Sequence, residues 1–107
     1  MARTLIKMPS TAKRGELIEI RTLISHPMET GYRPGADGKV LPRNIIRRFT
    51  CGYNGETVFS ADLFPAVAAN PNLIFYTVAT ESGTLTFTWE GDGGFKQTES
   101  VTLTVTG

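Results

Sequence analysis

The chain has 107 residues, of which 40% are hydrophobic and 20% charged, with a net charge of +1 and a single cysteine. That length suits one domain, residues 1–107, able to bury a core without a disulfide or a metal. Cys51 has no second cysteine to pair with. No apolar run approaches the roughly 20 residues of a membrane helix, which argues against membrane insertion. A charge this close to neutral does not recommend a nucleic-acid partner.

The net charge hides a segregation. Residues 1–48 hold ten Lys and Arg against four Asp and Glu, giving +6. Residues 49–107 hold Lys96 against six acidic residues, giving −5. Such asymmetry steers a charged partner unless the fold interleaves the halves.

In chain order, the opening MARTLIKMPSTAKRGE contains no apolar segment of secretory-signal length, which taken alone points to the cytoplasm. Thr4–Met8 reads as a short strand ended by Pro9, and Ser10–Gly15 as a polar, basic connection. Over Leu17–Ile24, Ile18, Ile20, Thr22 and Ile24 recur at every second position, which predicts a strand with Glu19 and Arg21 on its other face. Leu23 interrupts that polar row.

Ser25–Gly55 is the most unusual stretch. Pro27, Gly31, Pro34, Gly35, Gly38 and Pro42 exclude regular structure from its first two-thirds, which reads as a long exposed loop. Its last third reads as a strand, with Ile45, Phe49, Cys51 and Tyr53 on one face and Ile46, Arg48 and Thr50 on the other. Arg47 breaks the apolar row. Asn54-Gly55 then predicts a two-residue hairpin, because a type I′ turn needs positive φ at both central positions. Glu56–Ser60 is the return arm.

Ala61–Pro71 reads as a crossover between sheets, with one helical turn between the prolines and Leu63 and Phe64 tucked beneath. Leu73–Thr80 is apolar on both faces, which predicts a strand covered on both sides, one of them by a partner. Thr84–Trp89 alternates cleanly, with Leu85, Phe87 and Trp89 inward and Trp89 as core anchor. Gly91–Gly94 is a flexible turn, and Val101, Leu103 and Val105 mark the last strand. About seven strands with frequent turns predict an all-β, immunoglobulin-like antiparallel sandwich.

Little here suggests catalysis. His26 is the only histidine and cannot alone supply a zinc site. Cys51 lies on an apolar row, where cysteine behaves as a small hydrophobe, although pairing with His26 is one enzymatic reading. Glu90 and Asp92 beside Gly91 and Gly93 lack the spacing of a calcium loop and read as a turn. Arg43, Arg47 and Arg48 with Phe49 and Tyr53 form a candidate platform of cations and rings. No cofactor and no metal are expected. An accessory sandwich binding carbohydrate or nucleic acid is the alternative.

The runs ISHPMETGYRPGADGKVLPRNIIRRF, YNGETVFSADLFPAVAANP and TVATESGTLTFTWEGDGG carry a resemblance spanning Leu17 to Val105. They resemble the SoxZ family, the Z subunit of the bacterial thiosulfate-oxidation (Sox) sulfur carrier. That family implies an immunoglobulin-like sandwich without enzymatic activity, forming a heterodimer with a Y subunit whose C-terminal cysteine carries sulfur intermediates. The sequence ends SVTLTVTG without a nearby cysteine, which points away from the substrate-bearing role. The resemblance also implies a periplasmic location, reached by export with the Y subunit, and transient contacts with enzymes that load, oxidise and hydrolyse the bound sulfur. On this reading Arg47, Arg48, Phe49, Tyr53, Tyr76 and Val78 bury against the Y subunit. The loop Ser25–Arg43, with His26, Met28, Tyr32, Arg33 and Arg43, docks the processing enzymes.

Overall fold

A computed structural model describes residues 2–64 and 67–107. Eight strands form two sheets: β1 (Thr4–Lys7), β2 (Thr11–Lys13), β3 (Leu17–Ile24), β4 (Ile46–Tyr53), β5 (Glu56–Asp62), β6 (Asn72–Val78), β7 (Gly83–Gly91) and β8 (Lys96–Thr106). One sheet has the order β1-β3-β6 and the other β2-β8-β7-β4-β5. The fold is the expected all-β sandwich. Every pairing is antiparallel except β2 with β8, which is parallel. The basic connection Ser10–Gly15 therefore contains a short strand, whose central Ala12 is buried.

The core follows from the period of two. Ile18, Ile20, Thr22 and Ile24 of β3 are all buried, as are Leu85, Phe87 and Trp89 of β7. Phe49 sits at the centre, with its ring centroid 5.2 Å from Trp89, 5.8 Å from Phe75 and 6.1 Å from Phe59. Phe59 and Phe75 stack across the two sheets at 4.3 Å, with ring planes 5° apart. These contacts contribute beyond simple area burial, about 0.5–1.5 kcal/mol per aromatic pair.

Two bulges re-aim β4. Between Ile46 and Arg48 the strand advances two residues while β7 advances one, from Gly91 to Glu90. The extra residue turns Ile46 into the core and leaves Arg47 and Arg48 both exposed. This corrects the simple alternation that put Ile46 on the same face as Arg48. A second register shift at Cys51/Gly52 bulges β5 at Val58. The hairpin itself is as anticipated: Asn54 has φ 49° and Gly55 φ 85°, and Tyr53 pairs with Glu56.

β5 runs to Asp62, and the chain then crosses from the five-stranded sheet to the three-stranded one. Leu63 is buried as expected, but Phe64 is exposed to 64%. Pro65 and Ala66, where the helical turn was expected to begin, lie outside the described residues, and 67–71 hold no helix.

Ser25–Arg43 is more ordered than a Gly/Pro-rich loop suggests. Glu29 bridges Asn44 and Pro34 bridges Val40, both antiparallel, so 29–44 forms an irregular two-stranded ribbon. This arm fits the elongated shape, 61 × 20 × 20 Å, and the radius of gyration of 16.3 Å. A compact chain of this length has a radius of about 13 Å.

Candidate partner-binding site

Among the described residues nine large hydrophobics are exposed: Leu5, Leu17, Leu23, Tyr32, Val40, Phe64, Ile74, Tyr76 and Val78. Six of them share one surface. Leu5 pairs with Leu23 across β1 and β3, Leu17 pairs with Val78 and Glu19 with Tyr76 across β3 and β6, and Ile74 lies opposite Arg21. Alternation puts them all on the outer face of the three-stranded sheet, since Ile18, Ile20 and Phe75 between them point inward. The surface is on the order of 500 Å², at the upper end of what free monomers carry.

Its middle is polar and fixed. Arg21 Nε lies 2.6 Å from Glu19 Oε1, and the Tyr76 hydroxyl donates to Glu19 Oε2 at 2.8 Å. Those two bonds, Arg21 first, hold the Glu19 carboxyl below the ordinary carboxylate range. The same contact raises the Tyr76 phenol. Glu19 and Arg21, being paired, can be covered without stranding either charge.

The six residues expected at one partner interface do not form one surface. Tyr76 and Val78 lie on the face just described. Phe49 is fully buried and Tyr53 nearly so. The Tyr53 hydroxyl accepts the N–H groups of Thr80 and Glu81 and donates to the Glu81 carbonyl, fastening the β6–β7 turn. Arg47 and Arg48 project from the five-stranded sheet, on the opposite side of the sandwich from Tyr76. Phe49 and Phe75 meet in the core, so their outward neighbours point away from each other. Arg48 lies 3.8 Å from Asp62, while Arg47 is 3.2 Å from Asp92.

The arm residues divide in the same way. Tyr32 is 81% exposed, and Arg33 clasps Glu29 at 2.6 Å. His26 and Met28, by contrast, are buried at the arm's root and present no docking surface. His26 Nδ1 accepts the Met28 N–H at 3.0 Å, and its ring meets Phe95 edge-on at 5.2 Å. Burial lowers its pKa, opposed by the charge of Asp92. Met28 Sδ accepts the Ile46 N–H.

Asp92 is the residue that sequence reasoning undervalued. Its carboxylate takes both Arg43 Nε and Nη2 at 2.9 Å, the Ile45 N–H at 3.2 Å and Arg47 Nε at 3.2 Å. The turn at Gly91–Gly94 is thus a clamp on the arm. Arg43 is the main reason the Asp92 carboxyl lies below its usual range. Gly91 allows this approach, because a Cβ there would overlap the Ile45 carbonyl. Through Asp92 and Asp62 the basic first half meets the acidic second half, and part of the charge segregation is consumed internally.

The enzymatic reading finds no geometry. Cys51 is buried and its thiol is pushed up to about 12 by burial. It lies five residues along β4 from Ile46, which borders the His26–Met28 root; five residues of strand span roughly 16 Å. Among the described residues no three His, Cys, Asp or Glu side chains group as metal ligands. The exposed rings of Tyr32, Phe64 and Tyr76 sit on three separate parts of the chain, the arm, the crossover and β6.

Solved structures with this fold include a superoxide reductase (neelaredoxin) from Ignicoccus hospitalis. It is 17% identical with a TM-score of 0.75, covering 98% of this chain and 82% of that one. A putative superoxide reductase from Thermotoga maritima is 17% identical with a TM-score of 0.73, covering 97% and 86%. The sulfur carrier protein SoxY from Chlorobium limicola f thiosulfatophilum is 16% identical with a TM-score of 0.67, covering 96% and 78%. At these identities the likeness is one of fold. No curated protein matches the sequence. Residues 6–102, nearly the whole chain, match the family described as sulphur oxidation protein SoxZ, and the chain belongs to that family.

Proposed function

We propose that this protein is the non-catalytic half of a two-subunit sulfur carrier in periplasmic thiosulfate oxidation. Its SoxY-type partner covers the outer face of the β1-β3-β6 sheet, and the partner's own cysteine carries the sulfur. The observation that carries this reading is the gathering of six of the nine exposed large hydrophobics on one sheet face. A stable interface needs roughly 800 Å² per partner, and these residues supply the apolar centre of such an area. The buried, high-pKa Cys51 supports assigning the sulfur to the other chain. Intact-mass measurement of both chains after loading with thiosulfate tests it. The adduct is expected on the partner alone; an adduct on this chain, or a failure of the two to associate, rejects the reading.

The arm suits transient docking of the enzymes that process the bound sulfur, because it projects from the sandwich with Tyr32 at its flank and a clamped root. Deleting 32–41 is expected to slow sulfur oxidation while the two subunits still co-purify. Unchanged turnover excludes this role.

A further inference from the structure

We infer that the partner subunit joins this protein by strand addition, laying an extended strand along the free edge of β6. The inference rests on the reading that a SoxY-type partner covers the β1-β3-β6 sheet, and it specifies how.

The hydrogen-bond phase of β6 is fixed at both ends. The Ile24 N–H donates to the Pro71 carbonyl at 3.3 Å, and the Ala79 N–H to the Glu16 carbonyl at 2.8 Å. Both pairs keep the β3–β6 register, in which Ile20 faces Phe75. In an antiparallel pair bonded residues alternate with non-bonded ones. Leu73, Phe75 and Thr77 therefore direct their N–H and C=O groups toward β3. Asn72, Ile74, Tyr76 and Val78 direct theirs away from it. β6 ends its sheet, so among the described residues no strand receives them. The same four side chains are exposed, three of them large and apolar.

The other sheet edges are protected and β6 is not. β1 has only four residues and includes Lys7. β2 has three residues and ends at Lys13. β5 is bulged at Val58 and bounded by Glu56 and Asp62. β6 reads NLIFYTV, seven residues without a charge, a proline or a register shift. Short length, charge and bulges are the ordinary means of keeping an edge from pairing. Only β6 among the four lacks all of them. A long, flat, apolar edge is a template for a strand of another chain, with main-chain bonds giving affinity and alternate side chains specificity.

The occupant is an edge strand of the SoxY-type subunit. The Chlorobium limicola SoxY has this fold, so a partner of that kind brings sheet edges of its own. Its strand would continue the three-stranded sheet, with its body packing over Ile74, Tyr76 and Val78.

Amide hydrogen exchange of the intact protein, alone and with its SoxY-type partner, tests the mode of binding. On complex formation the amides of Ile74, Tyr76 and Val78 are expected to exchange at least about a hundredfold more slowly, while those of β3-paired Phe75 and Thr77 are slow in both states. Binding without protection at 74, 76 and 78 overturns strand addition and leaves the docking reading intact. No binding overturns both. Protection that appears in the isolated chain as its concentration rises assigns the edge to a second copy and overturns the proposal. As a second measurement, Ile74→Ala and Ile74→Pro both truncate the isoleucine contact and both leave the β3 ladder whole, but only proline removes the edge-facing N–H. Ile74→Pro is expected to bind at least about tenfold more weakly than Ile74→Ala; equal affinities count against the proposal.

Discussion

Phe75 and Tyr76 are neighbours in sequence that face opposite sides of β6, and truncating each in turn is expected to separate stability from association. Phe75 is 4% exposed and touches both Phe59 and Phe49. Phe75→Ala removes a central ring and is expected to cost about 3–5 kcal/mol. That is a large part of the ~5–15 kcal/mol holding a typical domain together. With an m-value of about 2 kcal/mol/M it lowers the urea midpoint by roughly 2 M. Tyr76 is 54% exposed, and its hydroxyl bonds the half-buried Glu19. Tyr76→Ala is expected to change stability by less than about 1 kcal/mol. Burial of its exposed half by a partner hides on the order of 100 Å². At ~25 cal/mol/Å² that is about 2.5 kcal/mol, or roughly 70-fold in Kd. Urea denaturation of each variant and calorimetric titration with the SoxY-type subunit supply the two readouts. If Tyr76→Ala weakens binding by less than about twofold, or unfolds as readily as Phe75→Ala, assigning alternate β6 residues to core and partner is wrong.

Gly83→Ala places a Cβ into the Asn54 side chain, whose Oδ1 accepts the Thr84 N–H; it should cost about 1–3 kcal/mol, part of it recovered in the Asn54→Ala background, and wild-type stability in denaturant would exclude the contact. Asp92→Asn is expected to speed amide exchange at Glu29 and Asn44, the first bridge of the arm, with little change in β7 and β8; unaltered exchange means the clamp is dispensable. Because the Asp92 carboxyl is depressed in the folded chain, the clamp is fully present above about pH 4, the unfolded value, and is lost as pH falls through the folded one. His26 behaves oppositely to a paired histidine: its pKa is lowered by burial, so the unfolded chain takes up the proton first. Stability is therefore level above about pH 6.5 and declines as pH drops below it. His26→Asn keeps an acceptor for the Met28 N–H and should flatten that decline; an unchanged slope puts its origin elsewhere.

Much of the sandwich was legible because its signals are local. The isoleucines of β3, the Leu85-Phe87-Trp89 row and Asn54-Gly55 each specify structure within a few residues, and each appears as read. What was hidden depends on distant partners. β2 is three residues of TAK, without periodicity, and exists because β8 runs beside it. The bulge at Arg47 is set by pairing with β7, so an alternating pattern places Ile46 on the wrong face. The arm has no repeat to read, and its clamp joins Arg43 to a residue 49 positions away. The candidate site was half legible. Exposed apolar side chains on Leu73–Thr80 pointed to a partner, but the rings of Phe49 and Tyr53 share their composition and are core. Sequence alone does not say which side of a two-sided strand the molecule keeps for itself.

The parity of β6 has a consequence for how this protein can change. Odd positions from 73 to 79 turn toward the core and even positions from 72 to 78 face outward, so the outward set can drift while the core stays untouched. A single inserted or deleted residue between Pro71 and Ala79 would exchange the two sets at once, sending Phe75 outward and Tyr76 inward. Variation here is thus open to substitution and closed to changes of length.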